Sequence, residues 1–312
     1  MFIINPYRFA SSTPPFVGPF NSYVAEGGAY SLRRMYTSYT GPGISVSRTI
    51  GPNTVEADVA FDTSTNYISL NSIITITSGT SVSTTLGQFC GQGTNPDGIA
   101  LQTISVKTWY DQSGNNRHMS QGTPTNRPTI ITTGTLNTDG GKVAILFNST
   151  LSQYLAFIGG SFAPTSSTLF ALGKPLTNVN LRFFGLSSSA SGTAYITLQQ
   201  TSGASQGIIA RTSLSPADAL VVSSSGNFNN QFLYYGRWRA DNRVDFGLNG
   251  AAVATSGTSL LNSPTNWNSI QTGVLSTGSL SGYWNGYQKE MLAFLTNQSA
   301  NRTAIENIIN TY

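Results

Sequence analysis

Trp109-Tyr110-Asp111-Gln112-Ser113-Gly114-Asn115-Asn116-Arg117-His118-Met119-Ser120-Gln121 reads as a strand end running into a tight polar turn. Trp109 and Tyr110 are strand formers. Asp111 and Ser113 carry oxygens that accept from backbone N–H groups two residues on, Gly114 takes a positive φ without cost, and Asn115-Asn116 continue the bend. The segments around this turn share its character. Ile104 to Trp109 leads into it, and Ile44-Ser45-Val46-Ser47-Arg48 alternates with period two, as a half-buried strand does. Strand-length apolar runs recur at 73–76, 142–147, 154–158, 168–172, 181–184, 194–198, 207–210, 231–235, 243–248 and 283–294. Asn249-Gly250, between Val244 to Leu248 and Ala251 to Val253, is the strongest hairpin signal. The one clear helix comes at the end, with Ser299 as N-cap and Ile305, Ile308 and Ile309 on one face of residues 300–312. Many short strands, Gly-rich turns and one capping helix predict an all-β jelly-roll sandwich.

Composition agrees with that class. Of 312 residues only 9% are charged, against roughly 25% in an average domain, while 39% are hydrophobic. Hydroxyl and amide residues fill the difference, which suits exposed strand positions and, with apolar runs and a net charge of +4, argues against disorder. The basic residues are scattered, with Arg33-Arg34 and Arg237/Arg239 the densest spots, so nucleic acid is not expected as a partner. No run approaches a membrane span, and the first residues lack the basic and apolar regions of a secretory signal. Cys90 is the only cysteine, so no intrachain disulfide forms, and its apolar neighbours predict a buried, inert thiol. Residues 1–20 read as an extended arm, broken by prolines yet rich in large apolar groups: Phe2, Ile3, Tyr7, Phe9 and Phe16. Residues 21–312 form the sandwich.

Three blocks carry a resemblance. Ala29 to Arg34 with Tyr39 to Arg48, then Phe89-Cys90-Gly91 with Trp109 to Gln121, and Gly282 to Met291 with the terminal helix resemble concanavalin A-like (laminin G-like) modules of bacteriophage structural proteins. The same turn, Trp109, Tyr110, Asp111, Ser113 and Gly114, resembles one in the jelly-roll catalytic domain of secreted α-L-arabinofuranosidases. The second likeness implies a retaining glycosidase, which needs a nucleophilic carboxylate and an acid/base carboxyl group about 5–5.5 Å apart. In that family the nucleophile follows a strand resembling Asn180 to Gly185, and the acid lies in a Gly-rich loop before the closing block. Here Leu186 to Ala190 and Thr272 to Ser279 contain no carboxylate. The resemblance therefore implies the fold without the activity, and a non-enzymatic chain is expected.

Other chemistry is thin. Glu56/Asp58 and Asp241/Asp245 are the closest carboxylate pairs, and Asp241 with Asp245 is the pair a divergent hydrolase would use. His118 is the only histidine, which rules out a two-histidine metal site. No cofactor is expected; laminin G-like modules sometimes hold calcium, for which Asp97, Asp111 and loop carbonyls are the candidate ligands. Trp238, Trp267, Tyr283 and Trp284 are the candidate sugar-stacking aromatics. The expectation is a virion structural protein made in the host cytoplasm, a head-decoration, fibre or tail-associated subunit. It would dock on other virion proteins through its arm as a homo-oligomer or multi-copy assembly and contact host glycans. A divergent glycoside hydrolase and a free carbohydrate-binding module are the alternatives.

Overall fold

The strand Gly286–Phe294 is the spine of the computed structural model, which describes residues 15–162, 164, 166–188, 194–201, 205–211, 219–225, 228–258, 267–276 and 280–312. On one side it pairs with Ser167–Pro175, on the other with Gly28–Ser31 and Ile145–Phe147, all antiparallel. Phe232–Trp238 and then Val244–Leu248 extend this layer. The second layer runs Leu155–Phe162, Trp267–Thr272, Leu181–Ser187, Tyr195–Gln200, Ser205–Arg211 and Ala219–Ser225, again antiparallel throughout. Ile44–Ile50, Asn53–Val59, Ile74–Ser78 and Ile104–Trp109 form the N-terminal part, tied to both layers through Met119–Ser120 and Thr129–Thr132. This is a β-sandwich with one C-terminal helix, Arg302–Asn310.

The layers meet through large apolar side chains. A Cβ on Gly236 would lie 2.6 Å from Leu198 Cδ2 and 2.7 Å from Ile208 Cδ1, so glycine there lets the opposite layer approach. Phe183 stacks on Trp284 at 4.5 Å between centroids and leans on Tyr234 at 4.9 Å. Tyr30 packs edge-on against both Trp109 and Phe184. Each such ring, fully buried, contributes about 1.5–3 kcal/mol. The helix covers the outside of the first layer, with Ile305 and Ile309 buried and the Arg302 guanidinium 4.6 Å from the Tyr235 ring centroid.

Arg33 joins three distant parts of the chain. It forks onto the fully buried Glu290 with two 2.8 Å bonds, and it donates to Ile308 O (2.8 Å) in the terminal helix and to Thr311 Oγ1 (3.0 Å) at its C-cap. Ser31 Oγ donates to the same carboxylate at 2.8 Å.

The elements differ from the sequence expectation at identifiable points. Asn53–Val59 and Trp267–Thr272 are strands whose polar residues (Glu56 and Asp58; Asn268, Ser269 and Gln271) hide the apolar pattern. The Asn249-Gly250 turn has positive φ at both residues, but the return pairing is Ala254–Thr255 rather than Ala251 to Val253. The helix begins at Arg302 after Asn301, because Ser299 and Asn301 are held in turns by Asn297 Oδ1 and Gln298 O. A short helix, Leu86–Phe89, capped by Thr85, carries Phe89 and Cys90 into the core. Phe2, Ile3, Tyr7 and Phe9 lie outside the described residues. Phe16 lies 4.8 Å below the Arg34 guanidinium, and Phe20 is fully buried in the core. Among the described residues no helix is long and apolar enough to cross a membrane.

Candidate functional site

Most carboxylates here serve the fold. Asp111 Oδ1 accepts from the N–H groups of Ala29 and Ser113 (both 2.9 Å), and Oδ2 accepts from Arg117 N at 3.1 Å. These bonds lash the 111–117 turn to the strand Gly28–Ser31. His118 closes the same turn, with Nδ1 accepting from Asp111 N at 3.0 Å, and burial pushes its pKa below the usual histidine value. Asp97 accepts from Arg48 (2.7 Å), Ser81 (2.5 Å), Ser83 (2.6 Å) and Val82 N (2.9 Å). Burial acts against its charge, yet these donors outweigh it and hold the carboxyl far below the carboxylate range.

Calcium therefore finds its two candidate ligands already spent on separate loops. Among the described residues no three His, Cys, Asp or Glu side chains converge as a metal group. Glu56 bonds Lys107 and Arg127, and Asp58 accepts from Tyr110 Oη at 2.8 Å. Cys90 is buried, and burial pushes its thiol pKa up.

The candidate stacking aromatics need correction. Trp238, Trp267 and Trp284 are at most 1% exposed. Trp238 meets Trp267 edge-on at 5.6 Å, and Trp284 lies on Phe183. Their faces are packed against the protein and cannot receive a sugar ring. Indole rings of this size gain more from the interior than from the surface, and an uncharged sequence gives no sign of which face they take. Tyr283 is half-buried with its ring 6.4 Å from Tyr154.

The carboxylate that faces solvent in a cleft is Asp241. It sits in the turn joining Phe232–Trp238 to Val244–Leu248, which is closed by Arg239 N to Arg243 O (2.9 Å) and by a left-handed Asn242 at φ 59°. The Asp241 side chain remains 47% exposed while both oxygens are gripped by the Arg239 fork at 3.0 Å. Slight burial acts against its charge, but the Arg243 N–H and the Arg239 guanidinium prevail and hold its pKa below the ordinary value. Arg239 also reaches Asp245 at 3.5 Å. Asp245 is buried, bonded to Arg237 Nε (2.8 Å) and Thr255 Oγ1 (2.7 Å), and Arg237 in turn donates to Asn297 Oδ1 at 2.7 Å.

A cleft of about 300 Å³ results, lined by Ser166, Arg237, Arg239, Ala240, Asp241 and Asn297. That volume is at the lower bound of small-ligand pockets and suits a single ring. The cleft offers an ionised acceptor, two guanidiniums, an amide and a hydroxyl in a fixed arrangement, the mixture that vicinal diols bond. Asp241 and Asp245 thus belong to one ion-pair network, but only Asp241 can be reached from outside. Sequence spacing brought the two together; the Arg239 bridge and the unequal exposure were not legible in it.

No family model and no curated protein sequence matches this chain. Solved structures do. A GH54 α-L-arabinofuranosidase soaked with a cyclic sulfate inhibitor superposes with a TM-score of 0.57 at 15% identity over 94% of this chain. A point mutant of a GH54 arabinofuranosidase soaked with 4-nitrophenyl α-L-arabinofuranoside gives 0.58, again at 15% identity and 94% coverage. An arabinofuranosidase complexed with arabinofuranosyl-α-1,2-xylobiose gives 0.55 at the same identity and coverage. The chain spans 64–65% of the length of those proteins. The expectation of a non-enzymatic chain is corrected by this likeness: the fold along nearly the whole chain is one that glycoside hydrolases use. At 15% identity it is the fold that is shared, a β-sandwich of the arabinofuranosidase type.

Proposed function

We propose that this protein is glycan-active and takes one furanoside-sized sugar unit in the Asp241 cleft. The observation that carries the reading is an exposed, fully ionised carboxylate fixed by the Arg239 fork inside a 300 Å³ cleft of polar groups. A carboxylate so held loses little freedom when sugar hydroxyls bond its remaining lone pairs. Arg237, Arg239 and Asn297 supply the complementary donors and acceptors. Asp241 is also the group that would meet an anomeric carbon in this cleft, where an ionised carboxylate stabilises positive charge. The arabinofuranosidase fold supports choosing arabinofuranosides as the first ligands.

The test is calorimetric titration with arabinofuranosyl oligosaccharides beside release of the aryl group from an aryl arabinofuranoside. Wild type should bind. Asp241→Asn, which keeps shape and removes charge, should weaken binding by about tenfold or more. Equal binding by both proteins would overturn the assignment of the cleft.

A second reading concerns where the sugar site is displayed. The N-terminal segment, in which Phe16 packs under Arg34 and Val17 is 72% exposed, would dock on a neighbouring subunit, as in a virion. Mass spectrometry of purified particles tests it: the chain is present in many copies if the reading holds and absent if it fails.

A further inference from the structure

A second cleft shares no lining residue with the one at Asp241. Thr138–Asp139 and Lys142–Val143 form a hairpin around Gly140-Gly141, whose φ values of 58° and 74° are both positive, as a tight type I′ turn requires. The loop at Tyr67 is tied down independently: Asp62 accepts from Ser64 N (2.9 Å) and Ser69 Oγ (2.7 Å), and Asp62 N donates to Tyr67 O at 2.9 Å. The Tyr67 ring meets Tyr312 edge-on at 5.7 Å between centroids. Between hairpin and loop lies a cleft of about 370 Å³, within the range of small-ligand pockets. Ile68 and Val143 line it as buried side chains, Tyr67 and Leu136 as half-buried ones, and the exposed Thr138 and Gly141 open it to solvent.

Charge around this cleft is unequal. Register sets Lys142 directly opposite Asp139. The Asp139 carboxylate is already held by two other lysines, the buried Lys289 at 2.7 Å and Lys174 at 3.6 Å. Burial lowers the Lys289 pKa, Asp139 acts against that fall, and the charges of Lys174 and Lys142 add to it. Three lysines thus share one carboxylate. Lys142, which bonds no carboxylate among the described residues, lines the cleft with its Nζ 5.1 Å from the Tyr67 ring centroid. Most of the hydroxyls a sugar would need here are already engaged. Ser69 Oγ donates to Asp62 and accepts from Asn71 N (3.0 Å), and Thr65 Oγ1 accepts from Tyr67 N (3.3 Å).

We infer that this cleft binds a small ring-bearing monocarboxylate, its ring packed on Tyr67, Ile68, Leu136 and Val143 and its carboxylate paired with Lys142. The apolar walls gain by covering a ring, and beside them an ion pair is stronger than in open water. One spare ammonium compensates one negative charge, so a doubly charged phosphate monoester would be left half compensated. A neutral ring would leave Lys142 with only the Tyr67 face as partner. The inference goes beyond the glycan reading and uses a different surface, so the two fail separately: Asp241→Asn reports on one cleft, and Lys142→Gln on the other.

The test titrates the full chain with 2-naphthoate and with its neutral counterpart 2-naphthamide, followed by ligand-observed NMR. The acid should bind, and the amide should bind about fivefold or more weakly, as expected for a half-buried charge-assisted pair. Lys142→Gln should abolish the preference for the acid without lowering the thermal midpoint, since Lys142 holds no carboxylate of the protein. Leu136→Ala removes part of the apolar wall and should weaken both ligands a few-fold. No binding of the acid, equal affinity for acid and amide, a preference for the acid that survives Lys142→Gln, or unchanged affinity in Leu136→Ala overturns the inference.

Discussion

Removing Arg33 should destabilise the protein more than removing Arg33 and Glu290 together. Glu290 is fully buried, and its two oxygens are satisfied by the Arg33 fork at 2.8 Å and by Ser31 Oγ at 2.8 Å. Arg33→Met keeps the length of the stem but leaves the Glu290 carboxylate in the interior with one hydroxyl. Breaking a buried pair from one side costs about 3–5 kcal/mol. The bonds to Ile308 O and Thr311 Oγ1 are lost as well, each worth about 1 kcal/mol.

The expected total is about 5–7 kcal/mol. With an unfolding entropy of about 2.1 cal/mol/K per residue, a chain of 312 residues shifts its midpoint by roughly 1.5 °C per kcal/mol. Arg33→Met should therefore melt roughly 8–11 °C lower. Arg33→Met/Glu290→Met replaces both charges by apolar groups of similar volume and should recover most of that loss. Urea titration followed by circular dichroism measures all three proteins and wild type. If Arg33→Met costs less than about 1 kcal/mol, or the double variant costs the sum of the single changes, the interior pair does not hold the ends of the chain to the spine strand.

Other outcomes follow from individual residues. His118 has a depressed folded pKa, so the neutral ring is the folded form; stability should be constant above about pH 6.5 and fall as pH drops below it. Urea midpoints at pH 7.5 and 5.5 check this, and the part of the difference due to His118 should vanish in His118→Gln. Asp97 is depressed in the folded state, so its contribution is present above the unfolded value of about 3.9 and is lost as pH falls below it. Asp97→Asn should cost about 3 kcal/mol at pH 7 and remove that part of the acid dependence. Gly286→Ala should cost about 2–4 kcal/mol, because a Cβ there would come 2.1 Å from Lys174 O in the paired strand; a neutral urea midpoint would refute that packing.

The sandwich was legible because period-two alternation and turn chemistry are local. Ile104–Trp109 appears where its apolar run predicts, and Asn249-Gly250 makes the tight turn its residues require. Trp267–Thr272 was not legible, since its Ser269 and Gln271 are buried polar residues whose neighbours in Leu181–Ser187 come from 82 and 86 positions earlier in the chain. The same distance problem governs the sites. Nothing local marks Arg33 as the partner of Glu290, 257 residues away. Tryptophans read as sugar platforms lie inside, Trp238 of the first layer against Trp267 of the second and Trp284 on Phe183. The Asp241 cleft joins Ser166, residues 237–241 and Asn297, three segments that only the pairing of Ser167–Pro175 with its neighbours brings together.

The most direct test is titration of wild type and Asp241→Asn with arabinofuranosyl oligosaccharides. Saturable binding by wild type, weakened about tenfold or more by the substitution, is the predicted result. No binding by wild type, or equal binding by both proteins, would contradict glycan recognition in the Asp241 cleft.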